Sequence, residues 1–161
     1  MADNTVFVVA SDNGASAARG DANYPLRGDK GSLFSGAVNV PAFVHSPRIP
    51  KSRRGATHAG LVHVTDWLPT FMGLATGGGF AGSYGGGDLD GLDQWASILG
   101  AGDSPRAEVV HYMDGAGSFA VQLGDVVLIS SVDDGADVPS APAWAFTGAV
   151  PRAGELCNIV E

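Results

Sequence analysis

Hydrophobic positions in this chain cluster into short runs separated by long glycine- and proline-rich stretches. Thr5-Val6-Phe7-Val8-Val9-Ala10 is an unbroken apolar, β-branched run. Without polar alternation, it predicts a central strand buried on both faces, as in a parallel α/β sheet. Residues 12–33 then form a long loop rich in Gly, Asp, Asn and Arg, and loops of that length in a compact domain tend to carry function or stay disordered. A second strand is predicted over residues 37–45, with Pro41 placing part of it at an edge or bulge. Residues 46–60 read as a basic, proline-punctuated surface loop.

Residues 61–64 predict a short extended segment leading into a helix. Asp66 is placed to cap that helix, because its carboxylate can accept from the free amides of the first turn. Pro69 falls in the first turn, where its missing N–H does little harm. Leu68, Met72 and Ala75, with Phe71 beside them, supply an apolar face at helical spacing. The glycine-dense residues 76–87 cannot hold a helix. A short helix is predicted over 93–99 and a strand over 108–112. A hairpin is predicted over 118–123 and 126–131, turning at Gly124-Asp125. The proline-broken stretch 136–151 has no assigned element, and 155–160 predict a last short strand.

Composition narrows the function classes. The 161 residues are 45% apolar, enough for one domain with a real core, while 24 glycines and 9 prolines predict irregular connections. A net charge of -8 argues against a nucleic-acid surface, which needs a basic field to displace counterions. The basic run Lys51-Ser52-Arg53-Arg54 reads as a solvated loop. No stretch is long and apolar enough to span a membrane, and the first residues do not resemble a secretion signal. Cys157 is the single cysteine, which excludes an internal disulfide and a cysteine-based zinc cluster.

The most informative chemistry lies in Ser11-Asp12-Asn13-Gly14, directly after the first strand. Ligands gather at the carboxyl ends of parallel strands, and an adjacent carboxylate and amide offer two hard oxygen donors for Ca²⁺ or Mg²⁺. The competing reading is a local turn in which Asp12 and Asn13 bond their own backbone. His63 reads as a buried structural histidine. His45, His58 and His111 show no metal-ligand spacing. Trp67, Trp95 and Trp144 read as core residues.

The flanking residues carry a resemblance. Thr5 to Gly14, followed by Pro25-Leu-Arg-Gly-Asp-Lys30-Gly-Ser-Leu-Phe-Ser-Gly36, resembles the sulfatase family, in particular its arylsulfatase B-like branch. Val40-Pro-Ala-Phe-Val44, His63-Val-Thr-Asp66-Trp-Leu-Pro-Thr70 and Leu89-Asp-Gly-Leu-Asp93 are similar to further family segments in the same order. Ala120 to Leu128 and Glu155 to Ile159 resemble the strands of its small C-terminal subdomain.

The resemblance implies an α/β fold: the C-terminal part of an alkaline-phosphatase-like sulfatase sheet over residues 1–105, plus a small antiparallel β subdomain over 106–161. It implies a sulfuric ester hydrolase, with Asp12 and Asn13 as ligands of Ca²⁺ and Lys30 as the contact to the sulfate ester, sulfated glycans being one candidate substrate. The family nucleophile is a formylglycine made from the cysteine of a Cys-x-Pro-Ser-Arg motif, and its metal and cations neutralise charge on the sulfate oxygens. The family also implies a secretory, lysosomal or periplasmic setting.

Several residues depart from the family pattern. Cys157 is followed by Asn-Ile-Val, so no catalytic residue of the formylglycine kind is present, and Cys157 reads instead as a small core residue. The adjacent pair Asp133-Asp134 lies in a late polar turn and matches no family motif. Where the family commonly has a Glu/Arg combination, this chain has Ser35-Gly-Ala-Val-Asn-Val-Pro41. Two donors cannot complete a Ca²⁺ shell of about 6–8 ligands, so affinity no better than about millimolar is expected. The chain is thus expected to be a sulfatase fragment, inactive alone. The alternatives are a non-catalytic scaffold or interaction module and a phosphoesterase-like relative.

Overall fold

The computed structural model describes residues 2–78, 80, 82–84, 86–114, 117–130 and 156–157. Strand β1 (Phe7–Ala10) pairs antiparallel with β2 (Ala42–His45), Val8 opposite Val44. The short helix α1 (Ser35–Val38) lies between them in the chain. Strand β3 (Thr57–His58) precedes helix α2 (Trp67–Thr76), and the small hairpin β4 (Ser83–Tyr84) and β5 (Gly87–Asp88) follows. Helix α3 (Trp95–Ile98) leads to β6 (Glu108–Met113), β7 (Phe119–Leu123) and β8 (Val126–Ser130), a three-stranded antiparallel sheet in the order β6-β7-β8. The final described strand, β9 (Leu156–Cys157), pairs antiparallel with β3.

The first strand corrects the expectation of a parallel strand buried on both faces. Its one described neighbour runs antiparallel, and Phe7 and Val9 are 50% and 51% exposed. The opposite face packs Val6 and Val8 against a core of Val44, Ile49 and Ile98, joined by Trp67, Trp95 and Leu99. An unbroken apolar run therefore became a strand with one covered face, because side chains alternate whatever their polarity.

The strand expected over 37–45 begins late. Ala37 N–H donates to Phe34 O at 2.9 Å and Asn39 N–H to Ser35 O at 2.8 Å, closing a helical turn before Pro41 releases the chain into β2. The 61–64 segment likewise enters a 3-10 turn at Val64–Asp66.

Helix α2 forms where expected but buries a different face. Leu68 and Phe71 are exposed and Ala75 lies outside the core, while Pro69, Thr70 and Gly73 are buried. Thr70 Oγ1 donates to Asp66 O at 2.6 Å and accepts from Gln94 N–H at 2.9 Å. At Gly73 a side chain would run into the Asp93 carboxylate, so the helix presses its smallest residue against the segment before α3. Trp67 and Phe71 stack at 5.9 Å between centroids.

Asp66 also departs from its expected role. Its backbone is helical and its side chain makes no bond to the α2 amides. Instead it closes a capping box around the preceding 3-10 turn, where Asp66 Oδ2 accepts from His63 N–H at 2.8 Å. The helix over 93–99 narrows to α3, with Asp93 Oδ1 accepting from Trp95 N–H at 2.8 Å. The hairpin and the strand before it form as expected, with a bulge in β6 between Val110 and Tyr112. The pair Asp133-Asp134, Trp144 and the stretch 136–151 lie outside the described residues.

Candidate functional site

The loop after β1 is held in place almost entirely by backbone and amide bonds. Ser11 N–H donates to Pro41 O at 3.1 Å and Gly14 N–H to Ala37 O at 2.8 Å, tying this loop to α1 and to the segment that follows it. Gly14 is buried, and a Cβ there would collide with the Gly36 carbonyl oxygen. The backbone of the two segments thus approaches closely where Asp12 and Asn13 emerge.

Asp12 and Asn13 make the local turn that their sequence allows. Asp12 Oδ1 accepts from Asn13 N–H at 3.0 Å, Ser11 Oγ donates to Asn13 O at 2.9 Å, and Asn13 Nδ2 donates to Gly14 O at 2.9 Å. Asp12 Oδ2 and Asn13 Oδ1 take no part in these bonds. A calcium ion requires about 6–8 oxygen ligands, so this pair is a fragment of a shell. Among the described residues no group of three or more His, Cys, Asp or Glu is placed to hold a metal. The donor set on its own therefore does not fit a complete calcium site.

Lys30 is brought to the same place by a loop stapled through one residue. Asn23 Oδ1 accepts from Ala15 N–H at 2.7 Å, while its Nδ2 donates to Ala15 O at 3.0 Å and Gly28 O at 3.1 Å. Lys30 N–H donates to Ala15 O at 2.9 Å. The result is a hollow of about 580 Å³ whose wall includes Asp12, Asn13, Arg19 and Lys30. Asn23 was not singled out by sequence reasoning, because its role depends on which backbone groups the fold leaves beside it. Arg19, a second cation in this wall, was passed over for the same reason.

A second hollow of about 470 Å³ adjoins the same turn. Both hollows share Ser11, Asp12, Asn13 and Asn39. The second adds His63, Trp67, His111 and Gln122, so its polar wall comes from the start of α2 and from β6 and β7. The expectation that His63 is buried inside the core is corrected: its ring is half-buried and lines this opening. Burial first, then the nearby Arg106 charge, hold the His63 imidazole below its ordinary value against the opposing pull of Asp66, and His111 adds to the lowering. His45 is exposed against Phe7 and lines neither hollow.

The family profile described as Sulfatase matches residues 1–78, the span that contains Asp12, Asn13, Lys30 and the start of α2. Arylsulfatase J of Mus musculus is 38% identical over 111 residues, covering 69% of this chain and 18% of that protein. The chain belongs to the sulfatase family. Arylsulfatase A of Homo sapiens is 31% identical over 131 residues, covering 77% of this chain and 24% of that protein. This sulfatase chain therefore spans about a fifth to a quarter of the length of these relatives. Its mixed helices and small antiparallel sheets are those described above, and no helix among the described residues is long and apolar enough to cross a membrane.

Proposed function

We propose that this chain supplies the sulfate-binding wall of an arylsulfatase-type sulfuric ester hydrolase. One observation carries the reading: Lys30, well beyond the adjacent pair Asp12 and Asn13 in the chain, lines one hollow with that pair, together with Arg19 and Asp21. Lys30 would place its ammonium beside the sulfate oxygens and offset the charge that grows on them as the ester bond breaks. Arg19 would add a second cation on the same wall. Asp12 and Asn13 would contribute two oxygen ligands to a Ca²⁺ ion, whose charge supplies further electrostatic stabilisation when bound. The remaining ligands and the formylglycine nucleophile are not supplied by the described residues. In the same reading, residues 1–105 are the C-terminal part of an alkaline-phosphatase-like catalytic domain and 106–161 a small β subdomain.

The test is calorimetric titration of the chain with inorganic sulfate and, separately, with Ca²⁺. Lys30→Ala is expected to weaken sulfate binding about five- to tenfold, the effect of about 1 kcal/mol from one exposed charge-assisted contact. Asp12→Ala is expected to weaken a Ca²⁺ affinity that begins near the millimolar range. Sulfate binding that ignores Lys30→Ala would remove the basis for this function.

A further inference from the structure

Between β1 and α1 the described chain contains no α-helix or strand, only a 3-10 turn at Ala17–Arg19. Lys30 sits near the far end of that stretch, exposed. No ladder holds its amine in place, and a loop that a ligand must first order binds more weakly for it. One carboxamide replaces the missing ladder. Asn23 Oδ1 accepts from Ala15 N–H at 2.7 Å while Asn23 Nδ2 donates to Ala15 O at 3.0 Å. The side chain thus meets both backbone groups of one residue, as the opposite residue of an antiparallel strand would. Its orientation follows from these partners, since Ala15 N–H can only donate and must face the oxygen.

The carbonyl that Asn23 holds is the one on which Lys30 rests. Ala15 O also accepts from Lys30 N–H at 2.9 Å, and Asn23 Nδ2 spends its second hydrogen on Gly28 O at 3.1 Å, two residues before Lys30. Gly28 itself turns at a φ of +89°, and a Cβ there would run into Ser32 and Phe34, so this return of the loop is closely packed. On the other side, Gly14 is anchored to Ala37 and passes directly into Ala15. Lys30 is therefore tied to the Asp12–Asn13 turn through Ala15, with Asn23 clamping the joint. Asn23 lines the hollow as well. Both of its amide hydrogens are engaged with backbone carbonyls, so it has no N–H left to offer an anion and acts only through the groups it holds.

We propose that Asn23 is the positioning residue for Lys30, fixing its loop against the Asp12–Asn13 turn so that the ammonium is in place before an anion arrives. This role rests on the reading that Lys30 contacts sulfate. A preorganised charge spends none of its interaction on ordering the loop, whereas a small displacement of the same charge forfeits much of it. Removing the carboxamide leaves Ala15 N–H and Gly28 O without these partners and leaves Ala15 O with the Lys30 amide alone, so the loop loses its clamp while Lys30 itself is retained.

A double-mutant cycle read by calorimetric titration of the 161-residue chain with inorganic sulfate tests the assignment. Asn23→Ala is expected to weaken sulfate binding about threefold when Lys30 is present and to change nothing further in a Lys30→Ala background. Where sulfate binds through Lys30, equal losses in both backgrounds or no loss in either would overturn the role. A residue that only stabilises the loop lowers the urea midpoint without that dependence on Lys30. A second measurement needs no variant. In the unaltered chain, NMR should show the Asn23 side-chain amide protons exchanging with solvent about tenfold more slowly than those of the exposed Asn4, and the Lys30 backbone amide protected with them. Exchange as fast as at Asn4 overturns the role even where sulfate binds. Slow exchange at both groups, in a chain whose sulfate binding ignores Lys30→Ala, upholds Asn23 as the clamp on Lys30 and overturns the sulfate reading instead.

Discussion

Arg106 reaches back 40 positions to grip the carboxylate of Asp66, its Nε lying 2.8 Å from Oδ2 and 3.1 Å from Oδ1 while its outer nitrogen also bonds Oδ1. Asp66 is 0% exposed. Its two oxygens also accept from His63 N–H and Leu92 N–H at 2.8 Å each and from Gln94 Nε2 at 3.0 Å. Arg106 further donates to the carbonyls of Asp90 at 2.8 Å and Glu108 at 3.2 Å. One buried carboxylate thereby joins the start of α2, the segment before α3 and the entry to β6, the elements that place His63 and His111 around one hollow.

Neutralising Asp66 should be costly. Asp66→Asn leaves the Arg106 guanidinium without its counter-charge, and breaking one half of a buried pair costs about 3–5 kcal/mol. Urea denaturation is expected to show that loss as a lowered midpoint. A change under about 0.5 kcal/mol, the scale of an ordinary surface substitution, would show that the pair contributes nothing net. Acid should act on the same group. Burial alone would push the Asp66 carboxyl up, but the bonds from Arg106, His63, Leu92 and Gln94 prevail and hold it below its ordinary 3.8. A depressed folded value means that its contribution is complete above the unfolded value and is lost as pH falls through 3.8 toward the folded one. The unaltered chain should therefore lose stability more steeply than Asp66→Asn in that window. Parallel acid limbs would contradict this.

Two histidines should titrate low. His58 is held below 6.5 by burial and then by the Arg53 charge, and its Nε2 is buried without a hydrogen-bond partner among the described residues. His63 is held below 6.5 by burial and then by Arg106. Both rings resist protonation in the folded chain, so the stability tied to their neutrality is present above pH 6.5 and declines as pH falls through their folded values. Ring-proton NMR against pH should place both midpoints below 6.5, and a midpoint at or above it for either ring would contradict its environment.

Gly14→Ala tests the close approach that sets out the Asp12–Asn13 turn. The new methyl would meet the Gly36 carbonyl, a backbone atom that cannot rotate away. A cost of about 1–3 kcal/mol is expected from forced backbone movement. Sulfate affinity should fall with it, because Gly14 separates the Asp12–Asn13 turn from Ala15, whose carbonyl holds the Lys30 amide. Unchanged stability and affinity together would show that the loop has room that the structure does not display.

Local rules were enough for the elements whose signals are short-range. The hairpin at Gly124-Asp125, the helix beginning near Pro69 and the turn at Asp12–Asn13 all follow from residue type and spacing, because their deciding bonds span only a few positions. The motif order also carried the sulfatase resemblance, and with it Asp12, Asn13 and Lys30 as candidates. What the sequence did not reveal depends on distant partners. Helix α2 buries Thr70 and Gly73 instead of Leu68 and Phe71 because Gln94 and Asp93, about two dozen and twenty positions further on, occupy that side. Arg106 carries no motif, and its role exists only once Asp66 is buried beside it. His63 and His111 lie on elements far apart in the chain, and tertiary packing alone sets their rings around one opening. Sequence thus determined the local conformations and the kinds of chemistry available. Burial and long-range hydrogen bonding, which depend on which segments meet, decided the arrangement of those groups in space.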